Sequence, residues 1–393
     1  METTSGKVEI VNEQDLIPFT KPYLTGKEND YVANAINRLE LVGDGPSTHL
    51  VEEIISRISG GVNSLLTPSC TDALDLAGML LDLEPGDEVI VPGFTFTSTA
   101  TAFAQRNAKV VFADINRHTL NINPAHVESL ITSKTRAISI VHYAGIACDI
   151  DAILEIAARH NLKVIEDNAH GFGGTYKGYA LGSLGDMATL SFHGTKNIQC
   201  GEGGAFLTRH QELADRAHIL REKGTNRRAF LDGVVDKYTW VDHGSSFLAP
   251  DYVAAFLLAQ LDEFDSIQAK RKHIWDTYAS ELKEWANQVG AQLPTVPDYA
   301  IHTSHLFWIT LPNPLDRTSF MNHLKANGIT STFHYQSLAI SPAGMRFGRT
   351  DGTPVSDLVA QTLVRLPLFA DMTANQLEKV VETVKSWDAT DTQ

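Results

Sequence analysis

The chain has 393 residues, 32 of them Lys or Arg against 47 Asp or Glu, for a net charge of −15 at pH 7. That surplus of acid argues against a duplex nucleic-acid binder, which needs a basic face for the phosphates. With 43% hydrophobic and 20% charged residues the chain can bury a full core, and its length suits a large domain with a smaller companion.

The opening stretch METTSGKVEIVNEQDL has neither a basic start nor a continuous apolar run, and no segment reaches the ~18 apolar residues of a membrane helix. Residues 1–16 are therefore expected to be loose, and the protein soluble, unexported and cytoplasmic. From about residue 60 to 210, short β-branched or aromatic runs alternate with helical patterns, the rhythm of a mostly parallel sheet wrapped by helices. The predicted strands are Asp87–Val91, Lys109–Ala113, Ala137–Tyr143, Lys163–Asp167, Ala188–Phe192 and a short run from Ala205. Between two of them, Ile150, Ile153, Leu154, Ala157 and Ala158 share one helical face, and Asn161 can end that helix. Pro250 to about Trp285 reads as one long amphipathic helix linking two units. Beyond it come a strand at Leu306–Leu311, a helix near Thr318–Ala326 and a last helix whose Thr373 and Gln376 match a capping box. The expected division is a large α/β domain over 17–249, the linking helix with a small α+β domain over 250–388, and a tail at 389–393. Cys70, Cys148 and Cys200 are scattered and include no CxxC pair, so neither a disulfide framework nor a metal site is expected.

In a parallel sheet, ligands gather beyond the carboxyl ends of the strands, which directs attention to four stretches. In TPSCTD, Ser69 and Thr71 can cap a helix beginning near Asp72, and amides exposed at its start would suit a phosphate; a plain capped helix is the simpler account of this stretch alone. In IEDNAH, an apolar strand runs into Asp167 and then His170. An acid at the end of a buried strand needs a cationic or donor partner, whether that partner is a ligand or only loop amides. In SFHGTKN, Ser191 and Lys196 follow another buried strand. A lysine losing solvation there becomes a better nucleophile, although a surface lysine before a tight turn would read the same way. In GFTFTST, Phe96 is either core or a platform for a ligand. No G-x-G-x-x-G or G-x-x-x-x-G-K-[ST] loop is present, which speaks against a NAD-dependent sugar epimerase and against nucleotide hydrolysis.

Together a phosphate-ready helix start, an aromatic ring, a strand-end aspartate and a later lysine are the parts a pyridoxal phosphate site requires. With Asp167, the Lys196 turn and the GEGGA run in this order, the chain resembles the DegT/DnrJ/EryC1/StrS family of sugar aminotransferases over about residues 17–388. The stretches LTPSCTDAL, GDEVIVPGFTFTSTA, VHYAGIACDID, VIEDNAHG, TYKGYALGSLGDMATLSFHGTKN, REKGTN, DKYTW, GSSFL and RLPLF carry the resemblance. They are most similar to the branch that aminates C4 of dTDP-4-keto-6-deoxyglucose to give dTDP-4-amino-4,6-dideoxygalactose.

The resemblance implies a fold-type I enzyme: a large, mostly parallel seven-stranded sheet domain, a smaller α+β C-terminal domain, pyridoxal 5'-phosphate as cofactor, and a homodimer with shared active sites. By the same resemblance Lys196 matches the Schiff-base lysine, Asp167 the partner of the pyridine nitrogen, His170 the residue near the ring oxygen and Phe96 the aromatic position over the ring. Thr71, Asp72 and Ser191 match phosphate ligands. Many members supply a further phosphate ligand from the neighbouring subunit through a GYN motif; here that place reads Gly244-Ser245-Ser246, and Ser246 could substitute. Related dehydratases replace the lysine by histidine, and the serine-to-lysine spacing of SFHGTK favours transamination, with L-glutamate as donor. A 3-keto or UDP-linked sugar remains an alternative substrate, and a non-catalytic protein that binds the cofactor or a sugar nucleotide the alternative of another class.

Overall fold

The computed structural model describes residues 16–39 and 41–389, so the ends expected to be loose, 1–16 and 389–393, lie outside the described residues except for Leu16 and Ala389. Apolar runs in the first half form β1 (Asn63–Thr67), β2 (Glu88–Pro92), β3 (Lys109–Ala113), β4 (Thr135–Val141) and β5 (Lys163–Asp167). A small hairpin, β6 (Thr175–Tyr176) and β7 (Tyr179–Ala180), precedes β8 (Met187–Ser191) and β9 (Gly204–Thr208). Later come β10 (Ala300–Ile301), β11 (Phe307–Thr310), β12 (Gly348–Arg349) and β13 (Leu363–Leu366).

The main sheet has the order β1-β9-β8-β5-β4-β2-β3-β12, parallel throughout except that β9 runs against both of its neighbours. Helices cover both of its faces, which is why β2, β8 and β9 are buried at every position. Val89 and Val91 point to one layer, packing with Ala73, Leu76 and Phe103 of the helices Cys70–Leu80 and Thr97–Ala104. Ile90 points to the other, joining Ile138, Ile140, Ile150 and Ile153. A separate apolar cluster around Trp285, Phe307, Phe320, Val380 and Trp387 forms the later part of the chain.

Local chemistry explains most of the boundaries. Asn161 closes the helix Ile150–His160 in the left-handed conformation at φ 53°. Thr373 and Gln376 make both hydrogen bonds of the capping box, at 3.2 and 3.0 Å. The helix Pro46–Ile58 has no cap of its own and receives one from afar: the buried carboxylate of Asp251 accepts from the amides of Ser47 (3.2 Å) and Thr48 (2.8 Å). Gly45 permits this approach, since a Cβ there would lie 2.6 Å from Asp251 Cγ.

Two expectations need correction. The large sheet has eight strands rather than seven, because Gly348–Arg349 returns from the C-terminal part and pairs in parallel with β3. A Cβ at Gly348 would meet Phe112 at 2.3 Å, and Arg349 clasps the buried Glu88 through two bonds of 2.7 and 2.9 Å. Two residues, one of them glycine, carry no periodic signal. The single helix read from Pro250 to Trp285 is instead three: Asp251–Leu261, Phe264–Glu281 and Lys283–Val289. At the first break Asp262 binds the Tyr31 hydroxyl and Glu263 pairs with Lys27 at 2.6 Å, so the chain turns to meet the helix Glu28–Asn37. Among the described residues no helix is long and apolar enough to cross a membrane.

Candidate active site

Beyond the carboxyl ends of the central strands lies a cavity of about 580 Å³. Thr71, Phe96, Asp167, His170, Ser191 and Lys196 all line it. Asp72 and Ser246 do not. The Asp72 carboxylate turns back to accept from Ser69 Oγ at 2.9 Å, while Ser69 Oγ caps the helix by accepting from the Asp72 amide at 3.1 Å. Ser246 is exposed and bridges Glu222.

Ser69 is extended, at φ −157°, so the helix Cys70–Leu80 begins with its amide end at the cavity. β9 presses against this turn: a Cβ on Gly204 would sit 2.3 Å from the Ser69 carbonyl carbon, and only glycine leaves the turn in place. Thr71 Oγ1 and Ser98 Oγ lie 2.8 Å apart, joining the starts of the two helices that cover this end of the sheet. The amides at the helix start, with the hydroxyls of Thr71 and Ser191 at the cavity, could hold a phosphate.

Asp167 ends β5, in register with Val141 and Thr189. Its carboxylate is buried and accepts from Thr99 Oγ1 at 2.7 Å and the Ala169 amide at 3.3 Å. Burial raises its pKa, against the opposing hydrogen bond from Thr99. A second carboxylate one residue earlier has a different part: Glu166 accepts amides of Gly182, Leu184 and Gly185 and pairs with His142 at 2.9 Å, so it braces the sheet.

Lys196 sits in the turn after β8, its amide bonded to the His193 carbonyl at 2.8 Å. Among the described residues its amine has neither hydrogen bond nor ion pair. Burial pushes its pKa down to about 8, only partly offset by Cys70 and Asp167. In the ligand-free protein, acylation of Lys196 followed by peptide mass mapping is therefore expected to quicken with pH and level off above about 8. A midpoint at the ordinary lysine value of 10.5 would contradict the buried setting. His193 is exposed and bonds Thr195 instead, so it does not compete for the lysine's place.

The opposite wall joins His170 to residues from later in the chain, His305, His334, Tyr335, Arg271 and Arg365, which carry no expectation from the sequence. His170 accepts the Ala144 amide on Nδ1 at 3.3 Å, which leaves Nε2–H as its donor, and it stacks on His305 at 4.3 Å. His305 Nδ1 meets Asn197 Oδ1 at 2.9 Å, and Asn197 is anchored in turn by Gln268 and the Thr303 carbonyl at 2.8 Å each. The residue after the lysine thus sets the imidazole behind His170. His334 bonds the Tyr143 hydroxyl at 3.0 Å, and burial holds all three imidazoles well below their ordinary pKa, hence neutral. Tyr335 and the guanidinium groups of Arg271 and Arg365 complete the wall. A signal existed for His305, which immediately precedes a predicted strand, and for Arg365 within RLPLF.

One carboxylate–imidazole group among the described residues has metal-like spacing, Asp44, His49 and Glu52, but none of these lines the cavity. The buried Arg221 already pairs with Asp44 and Glu52 at 2.7 Å each, supplying the positive charge a metal would bring.

Comparison with known proteins bears on this cavity. The model of the DegT/DnrJ/EryC1/StrS aminotransferase family matches residues 22–385. An uncharacterized protein of Methanocaldococcus jannaschii, MJ1066, is 33% identical over 384 residues, covering 96% of this chain and 98% of its own. Among solved structures, DesV of S. venezuelae is 29% identical with a TM-score of 0.87, covering 95% of this chain and 98% of its own. Spr1654 of Streptococcus pneumoniae, in its PMP form, is 27% identical with a TM-score of 0.87, covering 94% and 98%.

Proposed function

Since the chain belongs to the DegT/DnrJ/EryC1/StrS aminotransferase family, we propose that it moves an amino group from L-glutamate to C4 of a nucleotide-linked 4-keto-6-deoxy sugar. The substrate we infer is dTDP-4-keto-6-deoxyglucose and the product dTDP-4-amino-4,6-dideoxygalactose. The enzyme is a pyridoxal 5'-phosphate-dependent aminotransferase, in keeping with its family and with the PMP form of Spr1654.

The observation that carries the reading is that Lys196 and Asp167 line one cavity: an amine without a hydrogen-bond or ion-pair partner among the described residues, and a buried strand-end carboxylate. Their surroundings suit the cofactor. The helix start at Thr71 with Ser191 would take the phosphate, His170 would donate through Nε2–H to the ring oxygen, and Phe96, 58% exposed at the cavity, is free to cover the ring. When bound, the cofactor acts as an electron sink for the bonds at the amine-bearing carbon.

Each residue then has a task of its own. Asp167, held by Thr99, would keep a proton on the ring nitrogen, because a carboxylate there stabilises the cation. Lys196 would take and return a proton at the reacting carbon, a task favoured by a pKa of about 8, near working pH. The imidazole wall, neutral and stacked, would exclude water without adding charge. We further propose a homodimer in which Ser246 serves the neighbouring subunit's phosphate seat. Its exposure, and the exposed Leu231, Val234 and Trp240 nearby, suit such an interface.

The test is to supply L-glutamate and dTDP-4-keto-6-deoxyglucose and follow 2-oxoglutarate release, with the C4 configuration read from the product's ring-proton couplings. Turnover with an axial C4 amine is expected. Turnover only with a UDP-linked or 3-keto sugar would overturn the substrate assignment.

A further inference from the structure

Arg365 is an unusual cation. Its guanidinium lines the cavity, yet among the described residues it has no carboxylate partner and makes no hydrogen bond, and its Nε is buried without an acceptor. The ring of Phe19 covers one face at 4.5 Å, a contact that uses none of the donors on the edge of the fork. Arg365 lines one cavity with Lys196, His170, His305 and His334, and its charge lowers the pKa of each of the four.

Arg271 offers a partial contrast. It lines the same cavity and its Nε is likewise buried without an acceptor, but one of its terminal nitrogens donates to the carbonyl of His305 and so holds the backbone of the wall. The imidazoles are neutral, and of the two cations in this wall Arg365 is the one whose guanidinium has no hydrogen bond to the protein among the described residues. A guanidinium withdrawn from water without a counter-ion is costly, and an arriving carboxylate offsets that cost through paired, charge-assisted hydrogen bonds.

We propose that Arg365 is the receptor for the α-carboxylate of the amino donor, an inference that rests on the aminotransferase reading above. The incoming amine must reach the place the Lys196 amine occupies, and the α-carboxylate is one bond from the carbon that bears that amine. A cation that lines the same cavity as Lys196 is therefore suitably placed. The diphosphate of a nucleotide sugar, several bonds from its C4, would lie farther out.

The test uses the cofactor-loaded protein. Binding of glutarate, a dicarboxylate without an amine, is measured by calorimetry, and the change in cofactor absorbance with L-glutamate is titrated separately. In Arg365→Gln both should weaken by roughly 10- to 100-fold, the loss of hydrogen bonds to a charged group, with Arg365→Lys between it and wild type. The half-reaction with the keto sugar should keep its wild-type concentration dependence. Unchanged glutarate and glutamate binding in Arg365→Gln, or a loss confined to the keto-sugar half-reaction, would overturn the assignment, the latter in favour of a diphosphate. A control independent of any variant's folding compares wild-type protein with 4-aminobutyrate, which lacks the α-carboxylate. A response as strong as that to L-glutamate would also overturn it. If wild-type protein does not respond to L-glutamate at all, the aminotransferase reading fails before Arg365 is tested.

Discussion

Lys196→Ala is expected to lose steady-state turnover by on the order of 10⁴-fold or more, since one substitution removes both the nucleophilic amine and the proton carrier. The protein should still fold and still hold the cofactor through its phosphate seat. The sign of the stability effect follows from linkage. With the folded pKa of Lys196 lowered from 10.5 to about 8, the unfolded chain binds more protons between those values. Its burial penalty is therefore fully present below pH 8 and relieved as pH rises through that window. At pH 7 the alanine variant should be no less stable than wild type without cofactor. Glutamate-dependent release of 2-oxoglutarate under multiple turnover, together with a melting curve, decides the matter. Repeated turnover above about 1% of wild type would remove Lys196 from the role given to it. Partial rescue by added methylamine would separate loss of the proton carrier from a distorted cavity.

Asp167→Asn is the second large effect. The amide preserves shape and can still accept from Thr99, but it cannot carry the negative charge that would hold a proton on the ring nitrogen. The rate of the glutamate half-reaction should fall by roughly 10²- to 10⁴-fold, with cofactor affinity much less affected. Here too stability moves the other way. The folded pKa of Asp167 is raised, chiefly by burial, so the carboxylate costs stability once pH exceeds the unfolded value of 3.8 and the cost is complete above the folded value. The melting temperature of cofactor-free Asp167→Asn at pH 7 should accordingly rise. A variant that loses stability together with activity would mean that Asp167 acts as a structural brace, as Glu166 does beside it.

These residues also show what could be read before the fold was described. That Asp167 and Lys196 line one cavity was legible because one ends and the other follows a strand whose apolar run is unmistakable, and the end of a parallel strand is a place with chemical meaning. The helix Ile150–His160 and the last capping box were legible because their signals lie within one or two turns. Arg365, His305 and His334 had no such signal as a group, because they reach the cavity only when the later part of the chain folds over the sheet. The same holds for the Asp251 cap on a helix some two hundred residues earlier. Asp72 shows the converse: its place in the motif suggested a ligand, while its side chain bonds Ser69 and does not line the cavity. The break near Asp262 escaped notice because apolar spacing continues across it, and what turns the chain is the pull of Tyr31 and Lys27.

The short eighth strand has a consequence during synthesis. β3 would be the open margin of the large sheet, a row of unpaired amides and carbonyls able to pair with any passing chain. That margin is laid down by residue 113 and is closed only by Gly348 and Arg349. While the intervening segment is still emerging from the ribosome, the nascent protein carries a sticky border, and a product truncated before residue 348 would keep it permanently. The Arg349 clasp on Glu88 then acts as a latch fastened late, and aggregation of C-terminally shortened chains would follow from its absence.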